Sequence, residues 1–130
     1  MLFRSESRRQ VAIVGAGNLG TALARYTGLS KRGFYVVAIY DIDPDRIGDV
    51  VGDIKISRLS KMQSDARKGV FDMAILAVPA ASAQVVADDL VEAGISSILN
   101  FAPVRVGVPD GVAVRQVDLS TELQILSYYG

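Results

Sequence analysis

The 130-residue sequence predicts an α/β fold, a doubly wound and mainly parallel sheet with helices on both faces, built as a single domain. Three observations lead there. Short strand-like apolar runs alternate with helix-forming stretches, the order that requires βαβ crossovers. The first apolar run ends on a glycine-rich turn that opens a helix-like stretch. No run of 18 apolar residues interrupts the alternation, because Pro79, Ser82 and Gln84 break the longest one.

Residues 11–14 (VAIV) read as a buried strand ending at Gly15. Good helix formers follow from Thr21 and stop at Gly33. Residues 34–40 (FYVVAIY) are a second strand, closed by the turn DIDPD around Pro44. Residues 54–56 make a brief third strand, and a polar helix over about 60–68 ends at Gly69. The alternation then repeats. Residues 72–78 read as a strand, and 80–94 as a helix with Val85, Val86, Leu90 and Val91 on one side. Strands at 95–100 and 111–117 come next, before a helix starting near Asp118 or Ser120. No internal repeat or low-complexity segment appears. The architecture is of the Rossmann type. Residues 1–9 are read as an arm, 10–117 as the Rossmann domain and 118–130 as a C-terminal helix.

Composition narrows the chemistry. Half the residues are hydrophobic and 22% are charged, with 14 acidic and 14 basic side chains. That balance lacks the basic excess of a free-standing nucleic-acid binder. Arg4, Arg8 and Arg9 crowd the start, a cluster small enough to be a solvated arm. There is no cysteine, so disulfides, thiolate metal sites and a cysteine nucleophile are excluded. There is no histidine either, which removes the commonest metal ligand and general base. The first ten residues are too polar after Phe3 for a secretory signal, so the expected location is cytoplasmic, with no membrane partner.

Gly15-Ala16-Gly17-Asn18-Leu19-Gly20 fits G-x-G-x-x-G. Gly15 makes the tight turn, Gly17 lets a pyrophosphate approach the backbone, and Gly20 allows close helix–strand packing. The helix N-terminus then offers N–H donors and partial positive charge to phosphates. Asp41 stands at the end of the second strand, 21 positions after Gly20. Its carboxylate there can accept hydrogen bonds from the adenosine ribose, as in NAD sites, and would repel the 2′-phosphate of NADP. Arg46, five residues on, carries the opposite charge. Asp43 and Asp45 are read as turn residues beside Pro44.

Val78-Pro79 ends the fourth strand at the carboxyl edge of the sheet, where ligands lie in such folds, and Pro79 also suits the first turn of the next helix. Asn100 and Phe101 end the next strand on the same edge. Asn100 either hydrogen-bonds near a nicotinamide or caps its own loop. Carbonyl reduction needs a proton donor, yet histidine and cysteine are absent and no Tyr-x-x-x-Lys pair exists, since Tyr26 precedes Lys31 by one residue too many. The residues therefore favour a domain that binds NAD(H) without transforming a substrate.

Four stretches resemble the redox-sensing transcriptional repressors of the Rex family: VGAGNLGTALARY, YDIDPDRIG, AILAVPAASAQVVADDLVEAGISSILNFAPV and VDLSTELQILSYY. They occur in the family's order and cover nearly all of residues 10–129. The family's cofactor domain is also grouped with CoA-binding-type Rossmann domains. The resemblance implies a homodimer that compares NADH with NAD⁺, binds operator DNA when NADH is low and releases it when NADH binds. The glycine hexapeptide and Asp41 would then hold the adenosine diphosphate half. Val78, Pro79, Asn100 and Phe101 would lie near the nicotinamide. Tyr26 would lie near the cofactor and act in the switch with Asp118, whose simpler role is a helix N-cap. Leu119, Leu123, Leu126 and Tyr129 fall at helical spacing, widened by Ile125 and Tyr128. In the family the corresponding helix is exchanged with the partner subunit; packing on its own sheet is the alternative.

The family reads DNA with a winged-helix domain placed before the cofactor domain, and only ten residues precede the first strand here. The expectation is that this polypeptide alone does not bind operator DNA. NADH is expected to be preferred over NAD⁺, because an apolar pocket tolerates the uncharged ring better and no carboxylate beyond Asp41 offers to offset the cation. A small NAD-dependent oxidoreductase would instead turn over a carbonyl substrate. A CoA- or nucleotide-binding module of a larger enzyme would bind CoA in competition with NADH.

Overall fold

In the computed structural model, residues 8–118 are described. The chain runs through β1 (Arg9–Val14), α1 (Asn18–Arg25), α2 (Gly28–Lys31), β2 (Phe34–Asp41), β3 (Val50–Val51) and β4 (Ile54–Arg58). A 3₁₀ turn (Leu59–Lys61) leads into α3 (Met62–Arg67), β5 (Met73–Leu76), α4 (Ala80–Glu92), β6 (Ser97–Asn100) and β7 (Ala113–Gln116). The strands lie in the order β3-β4-β2-β1-β5-β6-β7. Every pairing is parallel except the β3–β4 edge. The predicted doubly wound α/β architecture is therefore what forms.

Alternating side chains divide the core into two layers. Ala12, Val14, Tyr40, Ala74 and Leu76 pack under α3 and α4, meeting Met62, Ala66, Val86, Ala87 and Leu90. Val11, Ile13, Ile39, Ile56 and Ile75 form the opposite layer, against Leu23 and Ala24 of α1. Strand order reverses between β1 and β5, since the chain first builds outward through β2 and β4 and then returns to add β5, β6 and β7. A crevice opens at the carboxyl ends of strands at such a point.

Five details depart from the sequence reading. β1 begins at Arg9, inside the expected arm, because the Arg9 N–H donates to the Gly33 carbonyl at 2.7 Å. The expected continuous helix from Thr21 to Gly33 is two helices, with Tyr26 extended at ψ 109° between them. The exposed Tyr26 ring lies over Gly28, in the space a side chain on residue 28 would enter. Strand β3 was missed: Gly52 and Asp53 form a two-residue hairpin turn, with Gly52 at φ +62°, that folds Val50–Val51 back on β4. The strands expected at 72–78, 95–100 and 111–117 are each shorter by two to three residues. Lastly, β1 pairs Val11 with Val36 but Ala12 with Ala38, which leaves Val37 as a bulge. The helix expected from 118 onward, with Leu119, Leu123, Leu126 and Tyr129, lies outside the described residues.

Candidate functional site

Three loops meet at the carboxyl edge, and each is pinned by one backbone hydrogen bond continuing the sheet. The Gly15 N–H donates to Tyr40 O (2.8 Å), the Ala77 N–H to Val14 O (2.8 Å) and the Phe101 N–H to Leu76 O (2.9 Å). Between them lies a cleft of about 610 Å³. That volume suits a cofactor-sized ligand.

The three loop glycines do different work. A Cβ on Gly20 would collide with the Gly15 carbonyl, and one on Gly15 with the Ala77 carbonyl, while Gly15 also holds φ +107°. Those two positions allow close packing of α1, β1 and the β5 loop. Gly17 differs. Its backbone is extended (φ −76°, ψ −163°), and a Cβ there would meet nothing within 4 Å. Gly17 caps α1, whose first turn carries no acidic residue and receives no side-chain cap. An open cradle thus faces the uncapped start of a helix, the arrangement that accepts a phosphate.

Asp41 closes the cleft on the β2 side. Its Oδ2 accepts the Ala16 N–H of the glycine loop at 2.7 Å, and Oδ1 accepts the N–H groups of Ile42 (2.7 Å) and Asp43 (3.0 Å). The acid predicted from spacing is therefore bonded directly to the glycine motif. Beneath it, fully buried Tyr40 donates its hydroxyl to Asp65 Oδ2 of α3 at 2.7 Å. Burial first, and then the Asp65 carboxylate, push the Tyr40 hydroxyl far above the ordinary phenol value of 10.0.

Of the predicted site residues, Gly15, Ala16, Gly17, Leu19, Asp41, Val78, Pro79 and Phe101 line the cleft. Gly20 stands behind it as a packing residue, and Asn18 is exposed at the start of α1. Asn100 makes the bonds of a loop-capping residue. Fully buried, it donates from Nδ2 to Val104 O (2.8 Å) and Gln116 Oε1 (2.7 Å) and accepts the Ala102 N–H at Oδ1 (2.9 Å). These bonds tie the loop after β6 to β7, and Asn100 is not on the cleft wall. Tyr26 is 56% exposed at the far end of α1, among Leu29, Tyr35 and Ile54, so within one chain it is not brought to the cleft. Asp118 borders a neighbouring hollow with Phe101, Arg105 and Gln116.

Sequence reasoning missed several wall residues. Ile42 and Leu59 line the β2 side together with Arg46, whose charge near Asp41 the sequence had shown, and Ser82 lines the start of α4. The signal for Ile42 was adjacency to Asp41. Leu59 had none beyond its place after β4. Among the described residues no cluster of metal-ligating side chains occurs, and no helix is long and apolar enough to cross a membrane.

A family model described as CoA binding domain matches residues 6–104. The chain belongs to the CoA-binding domain family. This CoA-binding-family domain is 44% identical over 124 residues to the redox-sensing transcriptional repressor Rex of Listeria welshimeri, covering 95% of this chain and 58% of the relative. To the Rex repressor of Streptomyces avermitilis it is 49% identical over 119 residues, or 92% of this chain and 47% of the relative. Among solved structures it is similar to RSP, a Rex-family repressor, at 38% identity over 95% of this chain. The TM-score is 0.88 against RSP in complex with β-NADH, and 60% of that chain is covered. Against RSP with β-NAD⁺ and operator DNA it is 0.87, with 57% covered. The resemblance to Rex repressors read from the sequence is borne out, and the chain spans about half the length of the curated relatives it matches.

Proposed function

We propose that this chain is the NAD(H)-binding, redox-sensing and dimerising part of a Rex-type transcriptional repressor that acts in the cytoplasm, and that it catalyses no reaction. One observation carries the reading: Asp41, bonded to the Ala16 N–H, faces a cleft that also holds the open Gly17 cradle at the start of α1. A diphosphate fits the cradle, because only there does the loop leave room beside unpaired helix N–H groups. The adenosine ribose would take the remaining acceptor capacity of Asp41. Val78, Pro79 and Phe101 would then border the nicotinamide. Their apolar surfaces and the absence of a carboxylate from that wall favour uncharged NADH over cationic NAD⁺.

Homodimerisation is supported by an apolar sheet face that the described residues leave open. Val11, Met73, Ile75, Leu99 and Ala113, with Leu29 and Phe34 at its margin, border a hollow of about 510 Å³. Such a face calls for a cover, and residues 119–130 of a second copy, rich in leucine and tyrosine, are the proposed source. Tyr26, exposed far from the cleft, and Asp118 would act in the switch across that dimer. Operator DNA would be bound through a winged-helix domain outside this sequence. Binding NADH would shift the population of dimer geometries only by its differential affinity for them.

Fluorescence titration with NADH tests the reading, with NAD⁺, NADPH and CoA as competitors. The chain has no tryptophan, which leaves the signal largely to the cofactor. NADH binding that NAD⁺ competes weakly supports the sensor. Displacement by CoA with indifference to NADH overturns it in favour of a CoA-binding module.

A further inference from the structure

Ala102, 2% exposed, has both backbone groups held by side chains rather than by a neighbouring strand. Its N–H donates to Asn100 Oδ1 at 2.9 Å, and its carbonyl accepts from Gln116 Nε2 at 3.0 Å. The two amides also meet each other, with Asn100 Nδ2 donating to Gln116 Oε1 at 2.7 Å. Three hydrogen bonds thus close a ring through Asn100, Ala102 and Gln116. The N–H and carbonyl of Ala102 fix which end of each amide donates, so neither amide can turn over without losing its bonds.

The ring sits where the cleft wall has least other support. Residues 101–112, between β6 and β7, carry no helix or strand. Phe101 and Pro103 of this crossover line the apolar end of the cleft. On their other side they border the hollow of about 410 Å³ that reaches Asp118, so the wall is thin. Phe101 is pinned by its own N–H, which donates to Leu76 O at 2.9 Å. Pro103 has no N–H to pin. Its nitrogen belongs to the peptide group whose carbonyl is that of Ala102, and Gln116 donates to that carbonyl. Gln116 itself lines the hollow and not the cleft, and so acts on the wall from behind.

We infer that Gln116 is a positioning residue for the ligand in the cleft: by holding the Ala102–Pro103 peptide it sets the apolar wall, and through that wall the preference for an uncharged ring over a cationic one. The inference rests on the proposed NAD(H) reading of the cleft. A closed wall strips water from the ring, which costs a cation more than a neutral group. A loosened wall readmits water, relieves that cost for the cation and forfeits contacts with the neutral ring.

The test titrates NADH by fluorescence, with NAD⁺ and adenosine 5′-monophosphate as competitors, into the intact chain and two variants. Gln116→Met keeps the length of the side chain and removes both polar ends. Gln84→Met is the control. The Gln84 amide clamps Gly107 farther along the same crossover, donating to its carbonyl at 2.9 Å and accepting its N–H at 2.8 Å, without touching Ala102. Gln116→Met is expected to lower the ratio of NAD⁺ to NADH dissociation constants by about fivefold, with adenosine 5′-monophosphate held within about twofold. Gln84→Met is expected to leave the ratio within about twofold. If Gln116→Met is too unstable to titrate, Gln116→Asn, a methylene too short to span both partners, should lower the ratio in the same direction. An unchanged ratio, an equal loss for all three ligands, or a matching drop in Gln84→Met overturns the inference and leaves the nucleotide reading intact. NADH that fails to bind the unaltered chain overturns the nucleotide reading, and this inference with it.

Discussion

The two ends of the cleft are built from opposite materials. The β2 end presents the charged Asp41, Asp43 and Arg46 beside apolar Ile42 and Leu59, and fixes the two carboxylates with hydrogen bonds to backbone N–H groups of a tight turn. The β5–β6 end presents Ala77, Val78, Pro79, Val86, Phe101 and Pro103, with the Ser82 hydroxyl as its one polar side chain. One end can recognise a ligand by charge and hydrogen bonds. The other can only accept or refuse a group according to its cost of desolvation. Under the proposed reading, such a cleft would anchor one half of a ligand and respond to the charge of the other.

Variants can break that division or sharpen it. The largest effect is expected where both ends share a foundation. Gly20→Val would drive a side chain into the Gly15 carbonyl and should cost about 3 kcal/mol or more in stability, read by urea denaturation. Asn100→Ala strips partners from Ala102, Val104 and Gln116 behind the apolar end and should cost about 1–3 kcal/mol. Adenosine 5′-monophosphate, anchored at the other end, should keep its affinity within about twofold; a large loss would mean that the two ends are not separable.

Asp41→Ala should weaken NADH by about 1–3 kcal/mol through lost hydrogen bonds, and an unchanged affinity would place Asp41 outside the site. Gly17→Ala should leave stability within about 0.5 kcal/mol, because its backbone is extended and its surroundings empty, yet lower NADH affinity by about tenfold as the methyl enters the cradle. Tyr40→Phe is the mildest, at about 1 kcal/mol for the hydrogen bond to Asp65. Because folding raises the Tyr40 hydroxyl above its ordinary value of 10.0, its contribution is present below that pH and is lost as pH climbs past it. Alkaline unfolding should therefore be less steep in Tyr40→Phe than in the parent chain.

What could be read from sequence was what is local. The alternation of strands and helices, the glycine loop and Asp41 follow from runs and spacings within about 30 residues. What escaped depended on distant partners or on competition between neighbours. The break at Tyr26, whose backbone turns extended at ψ 109° before α2 starts at Gly28, carried no spacing signal strong enough to end the helix there. The Gly52-Asp53 hairpin was hidden by its two-residue strand, although the dipeptide carried a turn signal. Asn100 gave two equal readings because one of its partners, Gln116, reaches it only once β7 has paired with β6. Arg46 was noticed as a charge near Asp41, but that its Nε is buried without a hydrogen-bond partner is a property of packing that no spacing encodes.

The bulge at Val37 acts as a one-residue frameshift inside β2. Upstream of it, Val36 points to the α1 layer; downstream, Ala38 and Tyr40 point to the α3–α4 layer and Ile39 to the α1 layer. Strict alternation from Val36 would have placed Tyr40 on the opposite side, away from Asp65, and would have moved Asp41 out of phase with the Ala16 N–H. The count of residues between Gly33 and Asp41 is thus as much a part of this site as their identities. A deletion there would transpose the two faces of the strand while leaving its composition almost unchanged.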